Sequence, residues 1–201
     1  MIPIAGVVLA AGESQRMGRD KPLLTYQQRP FLEAILEKLA AAGITERIVV
    51  LGYHADKIRA AVRMQGAKII DNPHYRLGQT SSLQAGLREI GTGTAAGVLL
   101  CLVDHPAVEP RVISELVAAF ERTGAPLIVP VSEGRRGHPV LIARALFAEL
   151  LALTPDCGAN VVLAKYRDAA CEVTVQDRGI LLDIDTPEDY RALAEQDRSP
   201  Y

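Results

Sequence analysis

Between the apolar run "PIAGVVL" and the segment "PLLTY" stands "AAGESQRMGRDK", residues 10–21. It holds two glycines, two arginines and a lysine, and little that a core could use. Glycine lets backbone amides approach an anion, and cationic side chains neutralise it, so the chemistry on offer is phosphate binding. A solvated turn with clustered charges has the same composition, so position and spacing must decide. Spacing removes the two commonest phosphate loops. Gly12 and Gly18 are separated by five residues and are followed by Arg19, Asp20, Lys21 and Pro22, so GxxxxGK[ST] fails in spacing and in hydroxyl. Ser14 and Gln15 break GxGxxG.

Carboxylates form a second set. Asp104 ends "GVLLCLVD", the most hydrophobic run, where a charge costs free energy unless it is paired or binds a metal. Mg²⁺ prefers one or two carboxylates with phosphate oxygens and water. The alternative for Asp104 is an N-cap for the helix after Pro106. "DIDTPED" adds Asp183 and Asp185. If a strand ends there, alternation puts both on one face, where a cation shared with Asp104 would relieve their repulsion. Asp185 also suits the start of the final helix, so the two stay unseparated. For Arg16 the bland alternative is a salt bridge to Glu13 or Asp20, and for Lys21 a place on the surface. Arg19 is read as solvated. His54, His74 and His105 read as surface or packing residues, and only His105 stands beside a candidate ligand. No Ser/His/Asp set for nucleophilic catalysis stands out.

The elements that must position these residues alternate. Residues 5–10, 47–52, 67–72, 97–104 and 125–131 read as strands, and 31–43, 55–66, 80–91 and 110–124 as helices closed by glycine. "TSSLQAGLREIG" opens with hydroxyls suited to an N-cap, so one of Thr80, Ser81 and Ser82 is expected to cap it. Beyond Val131, "SEGRRGHPVLIA" reads as a turn and a short extended segment. "RALFAELLAL" and "GANVVLAKY" read as helices, "CEVTV" and "GILLDI" as strands, and "TPEDYRALAEQ" as a closing helix. "DRSPY" is expected to fray. This pattern predicts one α/β domain over residues 1–201, three-layer α/β/α, with a Rossmann-like, mostly parallel sheet. In such a sheet ligands bind beyond the carboxyl ends of the strands, and five polar clusters fall there.

The bulk numbers agree with small-molecule chemistry. The 201 residues are 49% hydrophobic, which suits one buried core. A net charge of -2 with interspersed signs argues against a nucleic-acid binder. No apolar run reaches a membrane span, and the start lacks a signal-peptide pattern. Three unpaired cysteines fit a reducing compartment, so a cytoplasmic location is expected.

"LAAGESQRMGRDKPLL" resembles the signature LAAGxSxRMGxxKxLL of nucleotidyltransferases with a GT-A-like, Rossmann-related fold. More narrowly it is similar to the MobA/MocA-like group, which attaches a nucleotide to the molybdenum cofactor. "NPHYRLGQTSSLQAGL", "LLCLVDHPAV", "GRRGHPVL", "DCGAN" and "LLDIDTPEDY" match that group in order, over nearly the whole chain. "DHP" stands where "DQP" is frequent, and "DCGAN" where an arginine often ends the motif. The SSL and GRRGHP segments lean toward the cytidylyl branch.

The resemblance implies roles. Arg16 and Lys21 hold the β- and γ-phosphates of a nucleoside triphosphate, CTP by preference. The backbone of Ala10, Ala11, Gly12, Glu13 and Ser14 approaches the nucleotide. Gly78, Gln79, Ser81 and Ser82 lie at base and ribose. Asp104 binds Mg²⁺ with Asp183 or Asp185. Arg135, Arg136, Gly137, His138 and Pro139 face a molybdopterin-type acceptor, with His138 available as a general base although none is required. A molybdenum hydroxylase is the implied recipient. Rivals are a guanylyl transferase, transfer to a sugar phosphate or other small phosphate, a non-catalytic protein that holds or delivers the cofactor, and a nicotinamide dehydrogenase.

Overall fold

The protein is described here by a computed structural model covering residues 2–91, 93–154 and 156–198. β1 (Ile4–Ala10) is buried at every position, as a strand covered on both faces must be. The hairpin β2 (Thr25–Tyr26) and β3 (Arg29–Pro30) leads into α1 (Phe31–Ala41). Then come β4 (Glu46–Leu51), α2 (Ala55–Ala61), β5 (Lys68–Asp71), α3 (Gln79–Ile90), β6 (Gly97–Leu102), α4 (Pro110–Thr123) and β7 (Leu127–Ser132). The last third holds β8 (Arg135–Arg136), β9 (Val140–Ala143), α5 (Phe147–Leu151), α6 (Asn160–Lys165), β10 (Cys171–Thr174) and α7 (Pro187–Arg198).

The main sheet runs β10-β7-β9-β6-β1-β4-β5, with β8 paired to β7. β1 lies parallel to β4 and β6, β4 to β5, and β7 to β10, while β9 is antiparallel between β6 and β7. Side chains alternate across β1, so Val8 joins the core under α1 and α4 while Val7 joins the core under α3 and α5. This is the expected α/β sandwich with its mostly parallel sheet. No helix among the described residues is long and apolar enough to cross a membrane.

Several local expectations are corrected. "GILLDI" is no strand. Residues Arg178–Leu181 form a 3-10 turn, fixed where the Asp177 carboxylate accepts from Gly179 N at 2.7 Å. Gly179 there presses on the Ala107 carbonyl, which an added Cβ would approach to 2.7 Å. α2 ends at Ala61 rather than Gly66. α3 begins at Gln79 after Gly78, whose φ of 106° and ψ of 174° suit only glycine, so no hydroxyl caps it. α4 starts after Glu109, so Asp104 is not its cap. Asp185 does not cap α7 either: Asp189 accepts from Thr186 N at 2.8 Å, and Asp189 N donates to Thr186 Oγ1 at 3.2 Å, a reciprocal capping box. Of the ending expected to fray, Asp197 and Arg198 continue α7, and residues 199–201 lie outside the described residues.

Candidate active site

The carboxyl ends of β1 and β6, the first turn of α3 and the segment before α7 enclose a cleft of about 400 Å³. Behind two of its lining residues, Ala11 and Tyr75, the packing needs glycine. A Cβ on Gly52, just past β4, would sit 2.7 Å from Tyr75 Cβ and 2.9 Å from the Ala11 carbonyl. Across that contact Tyr53 N donates to Ala11 O at 3.0 Å, which anchors the start of the first loop. Further along, the Ser14 carbonyl accepts from Gly18 N at 3.0 Å, with Ser14 at φ 51° and Gly18 at φ 67°. Among the described residues the amides of Gly12, Glu13 and Ser14 donate to no protein acceptor, which leaves them available to an anion.

The charged groups converge. Lys21 is buried at the start of a short 3-10 turn, with its side chain 9% exposed. Its ammonium donates to Asp104 Oδ2 at 3.0 Å and to Asp185 Oδ1. Burial alone would pull the Lys21 pKa down, but the two carboxylates outweigh it and raise it. Arg16 closes on the other oxygen of Asp185, and although burial opposes it, Lys21 and Arg16 hold the Asp185 pKa below its usual range. Arg16 therefore pairs with neither Glu13 nor Asp20. Glu13 accepts from Gln15 and Arg76, and Asp20 binds His54 and Lys57. Arg19 lies over the Tyr190 ring at 5.8 Å.

The structure separates the acidic pair. One ligand atom each of Asp104, His105 and Asp183 lies within 4.8 Å of the others. Burial, then Asp104 and Asp185, raises the Asp183 pKa to about 6. Asp104 Oδ1 is buried with no hydrogen-bond partner. A buried orphan oxygen beside a crowded carboxylate and an imidazole is a donor set that suits one divalent cation. Asp185 faces the cations instead.

The remaining expected residues divide. Ala10, Ala11, Gly12, Ser14, Gly78, Gln79 and Ser82 line the cleft together with Arg16, Lys21, Asp104 and Asp185. Glu13 lines the neighbouring surface groove. Ser81 turns away, and its hydroxyl donates to Gly78 O at 2.8 Å. Thr80 bonds the Cys157 carbonyl. The 135–139 segment is not one surface. Arg135 is exposed, and Arg136 donates to Glu172 at 2.7 Å. Gly137 packs against Ile180, whose carbonyl an added Cβ would approach to 2.3 Å. His138 and Pro139 line a small apolar chamber with His105, Lys38 and Cys101. Burial, aided by His105, pulls the His138 pKa down to about 4, so it is neutral near pH 7 and a weak base.

Three contributors were not singled out as site residues in the sequence, although Asn72 and Tyr75 lie within "NPHYRLGQTSSLQAGL". Tyr75 lines the cleft from the turn before α3. Asn72 is buried behind that turn. Lys38, from α1, donates to Pro106 O at 2.5 Å in the turn that carries Asp104. His105 was visible only as the neighbour of Asp104.

Residues 6–170 match the MobA-like NTP transferase domain family. The chain is similar to the nicotine blue oxidoreductase of Paenarthrobacter nicotinovorans, 30% identical over 203 residues, covering 94% of this chain and 96% of that protein. It is 27% identical to the molybdenum cofactor cytidylyltransferase of Escherichia coli (strain K12), over 94% of this chain and 95% of the relative. A probable molybdenum cofactor guanylyltransferase of Mycobacterium avium (strain 104) is 29% identical over 96% and 95%. Among solved structures, Rv0371c from Mycobacterium tuberculosis H37Rv superposes with a TM-score of 0.85 at 32% identity, covering 96% of this chain and 98% of that one. A second crystal structure of Rv0371C is a complex with manganese, with a TM-score of 0.77, 30% identity and coverage of 96% and 98%. A loop with free amides and cations after the first strand, acidic groups at the ends of the sheet and a family match over most of the chain agree, and the chain belongs to the MobA-like NTP transferase family.

Proposed function

We propose that the protein is a Mg²⁺-dependent nucleotidyltransferase that transfers CMP from CTP to the phosphate of a molybdopterin-type cofactor. One observation carries this reading: Lys21 and Arg16 converge at the mouth of a cleft whose rim holds Asp104. An acceptor phosphate oxygen attacks the α-phosphorus, a new P–O bond forms, the bond to the β-phosphate bridging oxygen breaks, and pyrophosphate leaves. That displacement needs charge neutralisation and alignment more than a protein nucleophile.

In this reading the amides of Gly12, Glu13 and Ser14 bind phosphate oxygens, and Arg16 with Lys21 neutralises the departing pyrophosphate. Asp185 holds both cations before the nucleotide arrives, so the triphosphate exchanges with a carboxylate rather than with water. Asp104 and Asp183 would hold the Mg²⁺ through carboxylate oxygens, with the His105 imidazole beside them, and the ion would supply charge neutralisation to the triphosphate. Neutral His138, beside His105 with ring centroids 5.1 Å apart, lies on the acceptor side. The domain boundary at 1–201, a cytoplasmic location and delivery to a molybdenum hydroxylase belong to the same proposal.

The test is pyrophosphate release from CTP, GTP, ATP and UTP with Mg²⁺, with and without molybdopterin. Turnover with CTP and molybdopterin supports the reading. Preference for GTP moves it to guanylyl transfer, and no turnover with any nucleotide ends it. A second reading, hydride transfer, is favoured by the oxidoreductase among the relatives. It requires NADH or NADPH to bind, which a fluorescence titration measures.

A further inference from the structure

Asn72 lies just past β5, is only 4% exposed, and uses every polar atom it has. Its backbone N–H donates to Leu51 O at 2.7 Å, and its carbonyl accepts from Tyr75 N at 3.3 Å. Its side-chain oxygen accepts from His74 N at 3.0 Å. A backbone N–H can only donate, so that contact decides which way round the amide sits. The amide nitrogen then faces two hydroxyls, donating to Ser81 Oγ at 2.9 Å and to Ser82 Oγ at 3.0 Å.

Each serine keeps one hydrogen to give. Ser81 gives its own to Gly78 O at 2.8 Å or His74 O at 3.0 Å, and so ties the turn before α3 to the helix. Ser82 Oγ has no protein acceptor among the described residues. Ser82, and not Ser81, lines the cleft. The two adjacent hydroxyls are therefore not equivalent: one is used up inside the protein, and the other is held as a donor.

We propose that Asn72 is a positioning residue that orients the Ser82 hydroxyl, so that the cleft presents a hydrogen-bond donor to an acceptor atom of the nucleoside. It works by filling a lone pair of Ser82 Oγ from behind. The proposal rests on the reading of the cleft as a nucleotide site and assigns the polarity of one contact within it. The matching ligand is a nucleoside triphosphate with a carbonyl oxygen or ring nitrogen at that point. A nucleoside whose group there can only donate leaves the Ser82 hydroxyl hydrogen without an acceptor.

The experiment is a calorimetric titration of Mg²⁺-CTP and Mg²⁺-GTP into the full chain and its variants, which needs no acceptor and no turnover. Asn72→Asp is nearly isosteric, but its carboxylate accepts the Ser82 hydrogen and takes the donor away from the cleft. We expect Ser82→Ala and Asn72→Asp each to weaken the preferred nucleotide about three- to tenfold. The double variant should be no weaker than the weaker single one, because both remove the same donor. Ser81→Ala should change affinity less than about twofold while lowering the melting temperature, since its bonds are internal. In pyrophosphate release the loss should appear in KM, with kcat nearly unchanged.

Unchanged binding in Ser82→Ala, or losses that multiply in the double variant, overturns the proposal. Should Asn72→Asp not fold, the contrast between Ser82→Ala and Ser81→Ala still decides it. A wild-type chain that binds neither nucleotide overturns both this inference and the functional reading, whereas nucleotide binding without transfer to molybdopterin counts against the reaction alone.

Discussion

Asp104 and Asp185 share the ammonium of Lys21, but their other neighbours differ. Asp185 is closed by Arg16, whereas Asp104 keeps one buried oxygen unpartnered beside Asp183 and His105. Asp104→Ala should therefore reduce pyrophosphate release by at least about 10²-fold. The melting temperature should stay within about 3 °C, because Lys21 keeps Asp185 and a crowded carboxylate is removed. Wild-type turnover in that variant would remove Asp104 from the reaction. Lys38 gives a pH prediction. Burial pulls its pKa from 10.5 to about 8, with Asp177 and Glu109 opposing. Between these values the unfolded chain binds more protons than the folded one, so Lys38 makes stability rise from about pH 8 to 10.5 and adds its full cost below pH 8. Lys38→Met should flatten that rise in melts at pH 7.5, 9 and 10.5. An unchanged slope would show that Lys38 titrates normally.

At the scale of elements, irregular segments carry most of the chemistry, and their fixation is local. The segment before α7 is held by Asp189, whose carboxylate accepts from Asp185 N at 3.1 Å, Thr186 N at 2.8 Å and Thr186 Oγ1 at 2.8 Å. It is also tied by Ile184 N to the Asp104 carbonyl at 3.0 Å, which brings Asp183 against the turn after β6. Asp189→Ala removes the carboxylate half of the capping box while Thr186 Oγ1 still accepts from the backbone N–H of residue 189, and it should cost about 1 kcal/mol, lowering the melting temperature by about 2–4 °C. Because Asp185 then loses a fixed backbone, turnover should fall more than nucleotide affinity; the two are separated by comparing pyrophosphate release with titration. Equal stability in the variant would mean that packing alone holds the segment.

For the molecule as a whole, a formal charge of -2 conceals a cleft where two cations face three carboxylates. In the proposed reaction a bound cation and a triphosphate together would replace the pairings that hold Arg16, Lys21 and Asp185. Anything that binds only the folded chain stabilises it, by about 2.7 kcal/mol at a hundred times its dissociation constant. Mg²⁺-CTP at that excess should raise the melting temperature by about 5–10 °C. Excess chelator should remove most of that shift along with turnover. A shift that survives the chelator would mean that the cations of the first loop bind the triphosphate without metal.

Much of this was legible in the chain. Alternating apolar runs and helical periods predicted the parallel sheet, because period and burial are properties of short windows. The loop after β1 stood out through its glycines and cations and its place after a strand, although a solvated turn has the same composition, and Asp104 stood out as a charge ending an apolar run. "GILLDI" misled because a short apolar window does not distinguish a strand from a packed turn, and Gly179 against Ala107 decided the matter. The same holds for the pair Asp183 and Asp185. In an irregular segment no period dictates where a side chain points, so tertiary packing alone sent one toward Asp104 and the other toward Lys21 and Arg16. Lys21 meets its carboxylates across 83 and 164 residues, and the amide of Asn72 is oriented by the turn folded around it. The sequence by itself determined which groups could bind a phosphate and a cation. Only the folded chain decided which of them meet, because contacts between distant segments leave no trace in local pattern.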